Sequence, residues 1–121
     1  MSIRDRIGEF RAKRIAKRAR SQRAEARREY GAFFDKVSAL LFRADPIGIN
    51  FEDNTDEYDL EAATIIPRLR RCADADQVCG VVHEEFVRWF TPADAGARDQ
   101  YNEVSAQIWH AWLRYQEHGA V

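Results

Sequence analysis

Three prolines divide this 121-residue chain into stretches that are each patterned as helix. Pro46, Pro67 and Pro92 lack the backbone N–H that the interior of an α-helix requires, so helices are expected to end or bend at these positions. Between the prolines, apolar side chains recur at steps of three and four residues, and no alternating strand pattern competes with them. The sequence therefore predicts an all-α fold, a small helical bundle of about four helices.

Capping residues and helix breakers predict the bounds of these helices. The first predicted helical stretch has a weak, alanine-rich stripe of apolar residues. It forms either one long helix or two helices joined near Gly31. A kink or break is expected at Pro67, and Asp74 with Gln77 resembles a capping box. The predicted helices span 2–44, from a cap at Asp56 or Asp59 to about 72, about 75–90, and from Gly96 to about 117.

The charge is split along the chain, although the formal net charge is only −1. Residues 1–30 carry eleven basic and four acidic side chains, a net +7, whereas residues 31–121 carry eight basic and sixteen acidic ones, a net −8. Only two of the fourteen aromatic residues lie in the first part. We interpret residues 1–30 as a long basic helical arm and residues 31–121 as an acidic helical bundle domain.

The basic arm supports three alternatives. Its cations can neutralise phosphates, which predicts salt-dependent and sequence-independent binding to nucleic acid, although no aromatic residues are interleaved to stack on bases. The arm can instead dock on acidic residues of its own chain, or mediate a homo-oligomer. The residues of the nucleic-acid alternative are Arg11, Lys13, Arg14, Lys17, Arg18 and Arg20.

Seven acidic residues lie between Asp45 and Glu61, a stretch that we call the acidic segment. Counted from Asp53, the sixth position of a calcium loop is Tyr58 instead of glycine, so no metal site is predicted. Asp45 is expected to accept hydrogen bonds in the turn, and Asp59 to cap the next helix while Tyr58 covers its entrance. The exposed acids predict a binding surface for a basic protein partner, formed by Glu52, Asp53, Asp56 and Glu57.

No set of catalytic residues is recognisable, so neither an enzymatic activity nor a cofactor is predicted. His83 lacks the second histidine of a His-Glu-x-x-His zinc helix, because residue 87 is Val. His110 and His118 are expected at the surface or at the edge of the core. The seven-residue separation of Cys72 and Cys79 fits neither a redox pair nor a zinc site. Cys79 is expected in the core, and Cys72 is a candidate reactive thiol if it is exposed.

Trp109 is the aromatic residue with two interpretations. Trp89 and Trp112 fall on the predicted inner faces of their helices, whereas Trp109 lies off the apolar stripe of the last helix. An exposed tryptophan is a candidate anchor for a protein partner. A position at the edge of the core is the alternative.

The chain shows no sign of membrane insertion or export. The longest apolar run is far shorter than the roughly 20 residues of a membrane span. Charged side chains at Arg4, Asp5 and Arg6 are not those of a secretory signal. We therefore expect a cytoplasmic protein without a membrane partner.

The order of motifs over residues 34–91 resembles that of the YugE-like family of small bacterial helical proteins. The stretches that carry the resemblance are Asp45–Ile49, Asp56–Asp59, Ile65–Leu69 and Glu85–Phe90. Related small proteins are often encoded as immunity partners of interbacterial toxins. The resemblance implies a bacterial, cytoplasmic helical protein that acts as an inhibitor by binding a protein.

Taken together, these observations predict a non-enzymatic protein-binding module that binds a basic protein, such as a toxin, through its acidic segment. The alternative is a nucleic-acid-associated protein that acts through its basic N-terminal helix.

Overall fold

The computed structural model describes residues 21–48 and 57–118, and every regular element within these two ranges is helical. This confirms the all-α prediction for the described residues. The elements are α1 (described over residues 21–30), α2 (Ala32–Ala44), α3 (Asp59–Ile65), a first 3₁₀ helix (Ile66–Arg71), α4 (Ala75–Trp89), α5 (Pro92–Ala95), a second 3₁₀ helix (Arg98–Tyr101) and α6 (Asn102–Glu117). None of the described helices is long and apolar enough to cross a membrane.

Gly31 separates α1 from α2, so the second of the two predicted alternatives holds. Its backbone has φ 55° and ψ −129°, a conformation that glycine adopts far more readily than other residues. The Gly31 N–H still donates to the carbonyl of Arg27 over 2.8 Å, while its own carbonyl accepts from Phe34 N–H over 3.1 Å. One helix therefore ends and the next begins at a single residue.

The predicted breaks lie at the prolines. α2 ends at Ala44, and Asp45 follows in the left-handed conformation with φ 48°. The helix does not end at Pro67. Instead, α3 passes directly into the first 3₁₀ helix, which is wound more tightly than an α-helix. Thr91 accepts a hydrogen bond from the Asp94 N–H and so begins α5.

Asp74 and Gln77 begin α4 much as the capping box predicts. Asp74 Oδ1 accepts from the Gln77 N–H over 2.8 Å. Gln77 Oε1 accepts in return from the N–H of Ala73 over 2.6 Å, one residue earlier than in the standard box. Two backbone N–H groups and two side chains at this helix start are thereby paired by local sequence alone.

The core is rich in aromatic side chains contributed by separate elements. Phe33 stacks on Tyr115 with ring centroids 4.7 Å apart and contacts Trp112 at 5.6 Å. Phe86 of α4 lies 5.2 Å from Tyr101, and both are fully buried. Offset and tilted ring pairs at these distances stabilise the packing of α2 on α6, and of α4 on the second 3₁₀ helix, beyond the burial of their apolar area.

Residues 21–30 pack against the same core. Ala26 and Tyr30 of α1 are buried. Arg70 on the first 3₁₀ helix donates to the Tyr30 hydroxyl over 3.2 Å, and Arg27 lies 3.3 Å from Asp35. These ten residues belong to the predicted basic arm, whose other twenty residues lie outside the described part of the chain.

Arg68 joins the first 3₁₀ helix to α4 through two carboxylates. Its Nη1 donates to Glu85 Oε2 over 2.9 Å, and its Nη2 donates to Glu84 Oε1 over 2.6 Å. The two partners differ in environment, since the Glu85 side chain is 6% exposed and the Glu84 side chain 66%. A buried carboxylate depends on its partner much more than an exposed one does.

We expect Glu85→Gln to lower the free energy of unfolding by about 1–3 kcal/mol, because the buried acceptor of the Arg68 guanidinium loses its charge. Glu84→Gln, which alters the exposed half of the same contact, should cost less than about 1 kcal/mol. Urea denaturation of both variants measures the difference. Equal effects of the two substitutions would show that burial does not distinguish the two contacts.

Tyr101 is fully buried, and its hydroxyl donates to the carbonyl of Ala95 over 2.5 Å. Burial raises the pKa of Tyr101 to about 12. A tyrosine in the unfolded chain has a pKa of about 10, so between these two values the folded state holds the additional proton. The free energy of unfolding is therefore expected to fall as the pH rises from about 10 to about 12.

Tyr101→Phe should remove this component of the pH dependence and, at neutral pH, cost about 1–2 kcal/mol for the lost hydrogen bond. Denaturation of both proteins at pH 7, 10 and 11.5 tests the expectation. Identical pH profiles for the variant and the natural protein would contradict it.

Candidate functional site

Tyr58 holds the two ends of the acidic segment together. The tyrosine is fully buried, and its ring centroid lies 5.8 Å from that of Phe86. Its hydroxyl donates to Asp45 Oδ1 over 2.6 Å and accepts from the backbone N–H of Ile47 over 3.3 Å. Ile47 and Tyr58, on either side of the stretch that the structure does not describe, therefore lie next to each other.

Asp45 takes part in this contact in two ways. Its side chain accepts from Tyr58, and its carbonyl accepts from the Gly48 N–H over 3.1 Å. The predicted role of Asp45 as an acceptor in the turn is thus confirmed for its backbone. Asp45 ends α2 by adopting the left-handed conformation. Aspartate tolerates this conformation better than most residues do.

Asp59 forms a second anchor of the acidic segment, at its far end. The prediction that Asp59 caps the next helix is wrong, because α3 begins at Asp59 itself, follows Tyr58 directly and has no side-chain cap. The buried carboxylate turns towards α2 instead, where it accepts a hydrogen bond from the Ser38 hydroxyl. Arg27 Nη2 lies 3.9 Å from its other oxygen. A hydroxyl and a guanidinium thus compensate the burial of this charge.

The seven acids of the segment do not share one environment. Asp59 and Glu61 are buried, and Asp45 is bound to Tyr58. Glu57 is half-buried in the turn immediately before Tyr58. The other predicted binding residues, Glu52, Asp53 and Asp56, lie outside the described residues. Three of the four described acids of the segment therefore belong to the interior or to the anchor.

Trp109 is half-buried and packs against the hydrophobic core, which agrees with the edge-of-core interpretation. One turn further along α6, Leu113 is 41% exposed. Within the described ranges, Trp109 forms no ring contact or hydrogen bond with Tyr58 or Asp45. Its role as a binding anchor stays a prediction.

The residues of the nucleic-acid alternative, Arg11 to Arg20, all lie outside the described residues, so this alternative stays a prediction as well. Within the described part of the arm, Arg27 is engaged by the protein itself. Its guanidinium lies 5.2 Å from the centroid of the Phe34 ring and close to Asp35 and Asp59. This cation therefore stabilises the junction of α1, α2 and α3.

The histidine nearest the core is held in a structural contact. His83 is half-buried, and its Nε2–H donates to the carbonyl of Gly96 over 2.9 Å. His110 and His118 are exposed on α6 and just after it. Within the two described ranges, no group of three or more His, Cys, Asp or Glu side chains is placed to hold a metal ion.

The two cysteines are both free thiols in different surroundings. Cys79 is buried, as predicted, and its thiol contacts Asn102 Oδ1 at 3.3 Å. Cys72 is half-buried beside a cavity of about 690 Å³ that Arg70 and Arg71 also line. Burial raises the pKa of the Cys72 thiol, which disfavours the nucleophilic thiolate at neutral pH.

A groove between α2 and α6 was not predicted from the sequence. It has a volume of about 720 Å³, and Lys36, Arg43 and Arg114 lie along it. Lys36 and Arg43 are seven residues apart and so fall on one face of α2. That spacing is visible in the sequence, but the approach of Arg114 depends on how α6 packs against α2.

Comparisons of this chain with protein-family models, with curated proteins and with solved structures found no match. The resemblance to the YugE-like family stays a prediction.

Tyr58→Phe is expected to lower the free energy of unfolding by about 1–3 kcal/mol, because the Asp45 carboxylate and the Ile47 N–H both lose the hydroxyl. The amide of Ile47 should then exchange with deuterium at least about tenfold faster, as expected for the loss of about 1.4 kcal/mol of local protection. Mass spectrometry of exchanged peptides measures this effect.

Tyr115→Phe is the matched control, since no hydrogen bond of the Tyr115 hydroxyl is found within the described residues. It should change neither stability nor exchange at Ile47. Unchanged exchange at Ile47 in Tyr58→Phe would contradict the anchoring role of Tyr58.

Proposed function

We propose that this protein is a non-enzymatic protein-binding module of the immunity or inhibitor type, which presents its acidic segment to a basic protein partner. The observation that carries the proposal is the anchor at the base of the segment. Tyr58, fully buried, binds Asp45 and Ile47 and so joins the two ends of the segment.

The anchor favours binding because it reduces the conformational entropy that the segment loses on association. A binding segment whose two ends are already fixed loses less conformational freedom on association than a free chain of the same length. The bond between Ser38 and Asp59 adds a second fixed point where α3 begins. The acids predicted to bind the partner therefore lie, in the sequence, between two contacts whose positions the bundle fixes.

Charge supports the same function. Residues 31–121 carry a net charge of −8, and the acids predicted to bind a partner, Glu52, Asp53, Asp56 and Glu57, are clustered within six residues of the sequence. Clustered carboxylates attract basic surfaces and increase the rate of association, an effect that salt weakens. A basic toxin, such as a nuclease whose phosphate-binding surface the carboxylates would occupy, is the class of partner that the resemblance to the YugE-like family suggests.

The test begins with a two-hybrid screen that identifies a partner, followed by surface plasmon resonance with the purified pair at 50 and 300 mM salt. Neutralising the four acids (Glu52→Gln, Asp53→Asn, Asp56→Asn and Glu57→Gln) should slow association by about tenfold or more at low salt. The dependence of the association rate on salt should weaken in the same variant.

The matched control neutralises four exposed acids elsewhere, Glu25, Asp99, Glu103 and Glu117. It changes the net charge equally, and we expect it to slow association by less than about threefold. If binding survives neutralisation of the acidic segment, or if both quadruple variants bind equally poorly, the segment is not the binding surface.

A further inference from the structure

The groove between α2 and α6 combines an apolar floor with a cationic rim. Its floor is formed by Phe33 and Leu40 of α2 together with Ala111 and Tyr115 of α6. Phe33 and Tyr115 stack across it at 4.7 Å, which fixes the two walls relative to each other. The cations of the rim and the histidines beside them are Lys36, Arg43, Arg114, His110 and His118.

No acidic side chain lines this groove within the described residues. The nearest acid on α2, Asp35, is directed towards Arg27 at 3.3 Å. On α6, Glu117 lies 4.0 Å from His118, outside the lining, and Glu103 is exposed one turn before the groove begins. The groove is therefore a positive surface on a bundle whose net charge is negative.

The other cations of the bundle are mostly engaged in ion pairs. Of the eight basic residues in 31–121, four form ion pairs within the described ranges: Arg68, Arg70, Arg88 and Arg98. Three of the other four lie along this groove, and in the described part of the chain none of the three has an ion-pair partner. The cations that the fold does not use internally are thus concentrated at one place.

We infer that this groove binds an acidic amphipathic helix of a partner protein. The lining residues of α2 run from Ala32 to Arg43, which is about 17 Å or three helical turns. An apolar stripe at steps of three and four residues can lie on the floor, and flanking Asp or Glu side chains can then reach the cations.

The spacing of the cations favours a helix over a small anion. Lys36 and Arg43 are seven residues apart, which places them about 10 Å from each other along the axis of α2. The two positions are thus spread along the groove over more than the width of a single carboxylate or phosphate group. They match acids two turns apart on a helix that lies along the groove.

No described residue of the acidic segment lines this groove, and the groove carries the opposite charge. The proposed function uses Glu52, Asp53, Asp56 and Glu57, of which Glu57 is described and is not part of the groove. A failure of one proposal therefore leaves the other open to its own test.

The experiment uses the full chain and a fluorescein-labelled 16-residue helical peptide with leucines at helical spacing flanked by glutamates. A second peptide has lysine in place of every glutamate. Fluorescence anisotropy should show that the acidic peptide binds at least about tenfold more tightly than the lysine peptide. Arg43→Glu with Arg114→Glu should weaken binding of the acidic peptide by about tenfold or more.

The matched control is Arg28→Glu with Arg71→Glu, which changes the net charge equally at two exposed arginines outside the groove. We expect it to weaken binding by less than about threefold. Circular dichroism checks folding, and Arg43→Gln with Arg114→Gln replaces the double reversal if that variant loses its helical signal.

Three results would overturn the inference. The first is the absence of binding between the natural protein and the acidic peptide. The second is an equal loss of affinity in the two double variants, which would indicate that the acidic peptide responds to the net charge of the protein and not to the groove. The third is a dimer in light scattering that Arg43→Glu with Arg114→Glu converts to a monomer, because the occupant of the groove would then be a second copy.

Discussion

A phenol ring buried with its hydroxyl inside the protein requires a hydrogen-bond partner, and Tyr58 finds one in Asp45. Asp45 is available because α2 ends there in a left-handed conformation, ahead of Pro46. The contact brings the end of α2 next to the start of α3, and Tyr58 also packs on Phe86 of α4. Three helices are therefore positioned relative to one another through one side chain.

The interior acids show how the charge of the bundle is distributed. Asp59 is compensated by Ser38 and Arg27, and Glu85 by Arg68. A buried carboxylate without such partners would cost several kcal/mol. Arg27 and Arg68 are used in this compensation, whereas the cations along the α2–α6 groove are not. A nearly neutral chain thus has a surface that is far from uniform in charge.

Much of the fold could be predicted because its signals are local. The start of α4 follows from Asp74 and Gln77, and that of α5 from Thr91, since each cap is made within four residues. Gly31 and Pro67 mark changes of helix that the sequence also indicates. Among the apolar side chains that recur at helical spacing, Val82 and Ile108 are buried, although Leu60 is only half-buried.

The parts that could not be predicted depend on contacts between distant residues. Asp59 was expected to cap α3, but it bonds to Ser38, which lies 21 residues earlier. The groove likewise requires Arg43 of α2 and Arg114 of α6 to line the same surface. Residue type and spacing indicate which side chains carry charge, whereas tertiary packing determines which of them remain on the surface.

The joint at Gly31 has a consequence for the direction of α1. A Cβ added at Gly31 would meet no atom within 4 Å, so space is open there, and only its positive φ disfavours an L-residue. Handedness, and not size, therefore decides what this position accepts, and a D-alanine would fit the backbone as it stands. The angle at which α1, as described over residues 21–30, meets α2 thus depends on the stereochemistry of one backbone residue as well as on the packing of Ala26 and Tyr30.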